Sequence, residues 1–185
     1  MPLTEEARPE LLKIARRTLE SYLRDRSFQE LQPRSPALRE KAGAFVTLEK
    51  KEGLRGCIGH MAADKPLSLT VQEMVIQAAT GDPRFPPVSM NELQEIEIEI
   101  SVLSPLRVIH DPSVIRVGEH GLVVSRGLNR GVLLPQVPVR EGWDREAFLG
   151  TTCLKAGLPF DSWKSGEVQI EVFTADVFGE RELKS

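Results

Sequence analysis

Between Ile96 and Val102 the side chains alternate without a break: Ile96, Ile98, Ile100 and Val102 are apolar, Glu97, Glu99 and Ser101 polar. An extended backbone sends successive side chains to opposite faces. This stretch therefore reads as a strand with one face on a core and the other turned away from it, the pattern of an antiparallel sheet. Glu97 and Glu99 are expected together on the exposed face. Paired carboxylates can bind metal or move protons, but on an outer strand face solvation is the simpler role, and they are left out of the candidate site.

The rest of the chain is punctuated to match. Leu11, Leu12, Ala15, Leu19, Tyr22 and Leu23 recur at helical spacing and make one apolar stripe. Thr4 is the candidate N-cap, with Pro9 disturbing the first turn. Arg16, Arg17, Arg24 and Arg26 lie mostly off the stripe and read as a solvated face. After a loop at 27–36, residues 43–50 read as a strand, and Lys51, Glu52 and Gly53 turn it back into a second strand that carries Cys57. A helix is expected from about Pro66 to Thr80, stopped by Gly81, with Leu67, Val71, Met74, Val75 and Ala78 as its buried face. The segment from Gly81 to Pro87 holds three prolines and cannot be regular structure.

Val114 to Leu134 reads as a meander, with His120 exposed at a turn and His110 in a loop. A helix follows Asp144, its N-cap, and runs to Ala156; Trp143 packs on Phe148, and Cys153 falls on the buried face. A last strand spans Val168 to Val172. Hairpins and meanders interspersed with helices, without regular βαβ alternation, give an α+β fold: a mainly antiparallel sheet flanked by helices.

Composition narrows the function. The 185 residues carry a formal net charge of −3, which gives no global pull toward nucleic acid. There is no apolar run long enough for a membrane span, and the start, Met1 to Glu10, is polar and acidic, unlike an export signal. The cytoplasm is the expected location, and Cys57 and Cys153 read as free thiols. His60, His110 and His120 have no metal-ligand spacing, and two thiols alone seldom complete a site, so no metal or cofactor is expected.

The chemistry concentrates at Leu54-Arg55-Gly56-Cys57-Ile58-Gly59-His60. Strand alternation puts Arg55 and Cys57 on one side. A guanidinium beside a thiol favours the thiolate, and glycine within a strand marks a close approach to the backbone. Read structurally, the same residues are a small buried hydrophobe and a solvated arginine. The loop with Asp82, Arg84 and Phe85 is a rigid display for binding or a connector closed by an Asp–Arg link. It is expected beside the Cys57 strand, with Arg84 facing a ligand.

These motifs, together with Gly131 to Val137, Gly142-Trp143-Asp144 and Thr152 to Leu158, resemble the AMMECR domain family in order and spacing, over nearly the whole chain as a single domain, 1–185. Its microbial members are also called protein A of the AmmeMemoRadiSam system. The resemblance implies an α+β fold with a larger and a smaller lobe, and a pathway shared with Memo-type and radical SAM proteins. It places a candidate surface at Arg55, Gly56, Cys57 and Gly59, then Asp82, Arg84 and Phe85, then Gln136. Two functions fit. One is a thiol-dependent enzyme with Cys57 as nucleophile and Arg55 or Arg84 stabilising the thiolate or an anionic substrate; Asp82 and His60 are its candidate bases. The other is a non-catalytic binding module in which the Arg84 loop holds a protein, nucleic acid or small anion.

Overall fold

In the computed structural model, residues 3–51 and 53–183 are described; Met1, Pro2, Lys184 and Ser185 lie outside them, and so does Glu52 of the expected turn. The chain forms two compact units, one of residues 1–103 and 176–185, the other of 104–175. Both are α+β with antiparallel sheets, as the order of strands and helices predicts.

The first unit opens with α1 (Ala7–Asp25) and contains strands β1 (Ala44–Lys50) and β2 (Gly53–His60), helix α2 (Leu67–Thr80), strand β3 (Glu97–Leu103), strand β8 (Ala175–Gly179) and the short helix α5 (Glu180–Leu183). Its sheet runs β2-β1-β3-β8, so β2 is an edge. Val46, Leu48, Ile98 and Ile100 are buried with Leu11, Leu12, Leu19, Val71 and Val75 of the two helices. The apolar stripes seen in the sequence thus meet across one sheet face. Each fully buried leucine, isoleucine or valine contributes about 1.5–3 kcal/mol by leaving water. The opposite face carries Phe45, Thr47, Cys57, Glu99 and Ser101, related by the strand register.

The second unit follows β3 and returns the chain to β8. It contains β4 (Arg107–Ile109), β5 (Gly121–Arg126), β6 (Asn129–Leu133), α3 (Gln136–Glu141), α4 (Arg145–Lys155) and β7 (Gln169–Phe173), with sheet order β4-β7-β5-β6. Phe148, Leu149 and Cys153 of α4 pack with Leu122, Val124 and Ile170. Asp144 caps α4 by accepting from the Ala147 N–H at 2.8 Å, as its position predicts.

Several expectations change. Thr4 is not the N-cap: Glu6 holds that place, while the Thr4 hydroxyl still accepts from the Ala7 N–H. His120 is buried, not exposed, and its Nδ1 accepts from the Arg116 N–H at 3.1 Å; burial lowers its basicity. Glu97 and Glu99 are half-buried rather than solvated. Strands β4 and β8 and helix α3 are additional. Helix α3 tolerates Pro138 because the residue stands in the first turn, where its N–H would have no intrahelical acceptor.

Candidate functional site

Gly56 decides how α2 meets the edge strand. A Cβ at this position would overlap the Ala78 carbonyl oxygen in the last turn of α2. The missing side chain lets the helix end press on β2, and the chain leaving α2 is thereby delivered along the edge of that strand. The Val88 N–H then donates to the Ala79 carbonyl at 2.7 Å, closing residues 80–87 into a bounded loop. This is the proline-rich segment, and it lies beside the Cys57 strand.

Asp82 ties the loop down. Its side chain is buried, and its Oδ2 accepts from the Cys57 backbone N–H at 2.9 Å. Its Oδ1 accepts from the Arg84 N–H at 3.0 Å and from Arg84 Nε at 3.0 Å. Arg84 Nη2 reaches Oδ2 at 2.7 Å and also donates to the Cys57 carbonyl at 3.4 Å. The two outward backbone groups of Cys57 are therefore met by the Asp82–Arg84 pair, which stands where a neighbouring strand would be. The Arg84 guanidinium and the backbone donors hold the Asp82 carboxyl well below the usual carboxylate range, against the opposing effect of burial. Arg84 is 56% exposed at its side chain despite these bonds. Its guanidinium lies 5.6 Å from the centroid of the half-buried Phe85 ring.

Arg55 goes elsewhere. The β1–β2 register steps from Leu48↔Gly56 to Glu49↔Leu54, which leaves Arg55 as the extra residue of a β-bulge. Cross-strand partners share a face, so Leu54, not Arg55, follows Cys57 on its side. The strict alternation expected of this strand fails at that point. Arg55 instead forms a two-pronged pair with Glu92, Nε to Oε1 at 2.9 Å and Nη2 to Oε2 at 3.1 Å, and donates to the Pro86 carbonyl at 2.9 Å. Glu92 also accepts from the Ser89 N–H and hydroxyl as part of a capping box. Led by the Arg55 hydrogen bonds, these donors hold its carboxyl at about 2. Arg55 is thus a brace for the far end of the proline loop.

The Cys57 thiol is half-buried, with the Thr47 hydroxyl 3.3 Å from Sγ. Burial pushes the thiol up; the Thr47 hydrogen bond and the Arg84 charge pull it down, and Asp82 and Glu99 push it up again. The net direction is upward, so the protonated thiol is favoured. Glu99 is the register partner of Thr47, which puts a thiol, a hydroxyl and a carboxyl in one row across three strands. Burial raises the Glu99 carboxyl, and Glu49 and Glu182 add to the effect. The burial of Glu99 depends on what lies over the sheet rather than on its own strand, so the alternation of β3 does not reveal it.

The remaining candidates fall in separate places. Gly59 is where the Phe45 ring passes, since a Cβ would collide with the ring. His60 ends β2 and pairs with Asp64 at 2.8 Å, not with Cys57. Gln136 begins α3 in the second unit, its buried Oε1 without a hydrogen-bond partner among the described residues. Cys153 is fully buried in that unit's core. Among the described residues no group of three or more His, Cys, Asp and Glu side chains is arranged to hold a metal ion, and no helix is long and apolar enough to cross a membrane.

Comparison with known proteins agrees with this architecture. The AMMECR1 family profile matches residues 12–178. A protein of Methanothermobacter thermautotrophicus is 47% identical over 97% of this chain and 97% of its own length. Protein MK0488 of Methanopyrus kandleri is 47% identical over 97% of this chain and 91% of its own. The crystal structure of the uncharacterised protein PH0010 from Pyrococcus horikoshii is similar with a TM-score of 0.88 and 42% identity, covering 92% of this chain and 89% of that one.

Proposed function

The chain belongs to the AMMECR1 family, and from that premise we propose that it is a binding module whose Asp82–Arg84 loop receives an anionic group of a partner protein at the edge of β2. The observation that carries this reading is the state of Arg84. Its Nε and Nη2 are fixed by Asp82 and Cys57, while Nη1 has no hydrogen-bond partner among the described residues. A guanidinium already held in place loses little conformational entropy when a carboxylate or phosphate docks on its remaining donors. Phe85 adds an aromatic surface next to the charge. The Memo-type and radical SAM proteins implied by the family resemblance are the partners to test, in a shared cytoplasmic pathway.

A thiol-dependent enzyme is the second reading, favoured by the Thr47 hydroxyl at Cys57 Sγ and by the Arg84 charge. Against it stand the upward shift of the thiol and the commitment of Arg55 to Glu92. Two variants separate the readings. In capture experiments with purified Memo-type and radical SAM proteins from the same genome, Arg84→Ala is expected to lose binding and Cys57→Ala to keep it. Retention by Arg84→Ala with loss of pathway turnover in Cys57→Ala supports the enzyme instead. Failure of the wild-type chain to bind either protein removes the partner assignment.

A further inference from the structure

The edge of β2 is closed at Cys57 and open two residues further on. The Leu103 N–H donates to the Gly43 carbonyl at 2.9 Å, so Gly43, Phe45 and Thr47 turn their backbone groups toward β3, and Ala44, Val46 and Leu48 turn theirs toward β2. Val46 therefore exchanges hydrogen bonds with Ile58. Cys57 and Gly59, which stand opposite Thr47 and Phe45, point their N–H and carbonyl groups away from the sheet. At Cys57 these groups are met by Asp82 and Arg84. At Gly59 neither group has a partner among the described residues, and β2 has no strand beyond it.

The order of the groups along this edge matters. Asp82 takes the Cys57 N–H and Arg84 the Cys57 carbonyl, so the guanidinium is the member of the pair nearer Gly59. Successive outward residues stand about 7 Å apart along the strand. An extended segment that pairs with Gly59 and runs antiparallel to β2 meets the guanidinium after one further residue. The place of the next residue is filled by the Asp82–Arg84 pair, so the segment has to stop or turn away. A chain that ends there brings its own carboxylate to Arg84 Nη1, the nitrogen without a partner among the described residues. Cross-strand neighbours share a face. Gly59 has no side chain and the Phe45 ring lies over it, so the side chain opposite Gly59 has an aromatic surface to pack on.

We infer that β2 receives the carboxyl terminus of an extended partner chain as a short fifth, antiparallel strand. The penultimate residue of that chain exchanges both hydrogen bonds with Gly59 and packs an apolar side chain on Phe45, and the terminal carboxylate docks on Arg84. This rests on the anion-binding role of Arg84 proposed above and names the anion.

The probe is the peptide acetyl-Gly-Ser-Val-Phe-Ala with a free carboxylate, titrated into the full chain and followed by two-dimensional NMR. Saturable shifts are expected at residues 57–60 and 82–85. The C-terminal amide is expected to bind several-fold more weakly, and so is the amide in which the last residue is replaced by glutamate. Strand N–H groups alternate in direction. N-methylation of the penultimate nitrogen, which faces Gly59, is therefore expected to abolish binding, and N-methylation of the antepenultimate one to be tolerated. Arg84→Ala is expected to lose the preference for acid over amide. No saturable shift, equal affinity for acid and amide, or equal effects of the two N-methyl groups overturns the inference. Binding of the glutamate amide as tight as that of the acid also overturns it, since a side-chain carboxylate then suffices. If the peptides fail while the wild-type chain still captures a Memo-type or radical SAM protein and Arg84→Ala does not, the anion-binding role stands and only the strand falls. Capture unaffected by Arg84→Ala removes both.

Discussion

The carboxylate of Asp82 accepts from the backbone N–H of Cys57 at 2.9 Å, across twenty-five residues of sequence. Through this bond a loop that follows a helix becomes the outer neighbour of an edge strand. Replacing Asp82 by Ala leaves the Cys57 and Arg84 N–H groups without this acceptor and frees Arg84. Charge-assisted hydrogen bonds of this kind contribute about 1.5–3 kcal/mol, so a loss of about 2–3 kcal/mol is expected. In a chain of this size that lowers the melting temperature by about 5–10 °C. Denaturant titration of Asp82→Ala measures it; a change under about 0.5 kcal/mol would show that the contact is incidental.

Acid should loosen the other end of the loop. The Glu92 carboxyl is held at about 2, below its ordinary 4.5. A depressed carboxyl contributes stability that is full above the unfolded value and disappears as pH falls toward the folded one. The Arg55–Glu92 contribution is therefore intact at neutral pH and is lost between about 4.5 and 2. Glu92→Gln is expected to be less stable than wild type at pH 7 and to converge on it only as the pH falls to about 2. Parallel stability curves over that interval would contradict the assignment.

Two glycines in one strand should respond differently to alanine. At Gly56 the new Cβ meets the Ala78 backbone, which cannot move without shifting α2; at Gly59 it meets the Phe45 ring, which can rotate. Gly56→Ala is expected to cost about 3 kcal/mol or more, and Gly59→Ala about 1–2 kcal/mol. Equal costs would mean that the helix end is not packed on Gly56.

How much of this was legible in the sequence follows from what each signal depends on. The hairpin, α2 and the irregular loop are local: Gly53, Gly81 and the prolines mark their ends, and alternation or helical spacing fills them. The bulge at Arg55 is not local, because register is a property of β1 and β2 together. Reading one strand alone put Arg55 beside the thiol, when its guanidinium lies on Glu92. Helix α3 was hidden by Pro135 and Pro138, which look like breakers but are compatible with a first turn. Strand β8 has only Val177 and Phe178 as apolar markers beside Ala175. The burial of His120 and Glu99 is set by what packs over them, which no window of sequence contains.

Cysteine labelling reports the electrostatics directly. Cys57 is half-buried and Cys153 wholly buried, so iodoacetamide is expected to modify Cys57 first in the native protein. Arg84 is a cation that favours the thiolate. Its removal raises the Cys57 pKa, so Arg84→Ala should slow labelling at fixed pH and move the rate profile to higher pH. Faster labelling of the folded variant would contradict the placement of Arg84 beside the thiol.

The most direct measurement is calorimetric binding of wild-type and Arg84→Ala chains to the purified Memo-type protein, with melting temperatures taken on the same samples. Arg84 is largely exposed, and Asp82 keeps its bonds to the Cys57 and Arg84 N–H groups. The variant is therefore expected to lose only about 1 kcal/mol of stability, while its Kd rises at least about tenfold, a binding loss of about 1.4 kcal/mol. An unchanged Kd in a variant whose melting temperature falls would reduce Arg84 to a structural clasp for Asp82 and contradict the binding role of the loop.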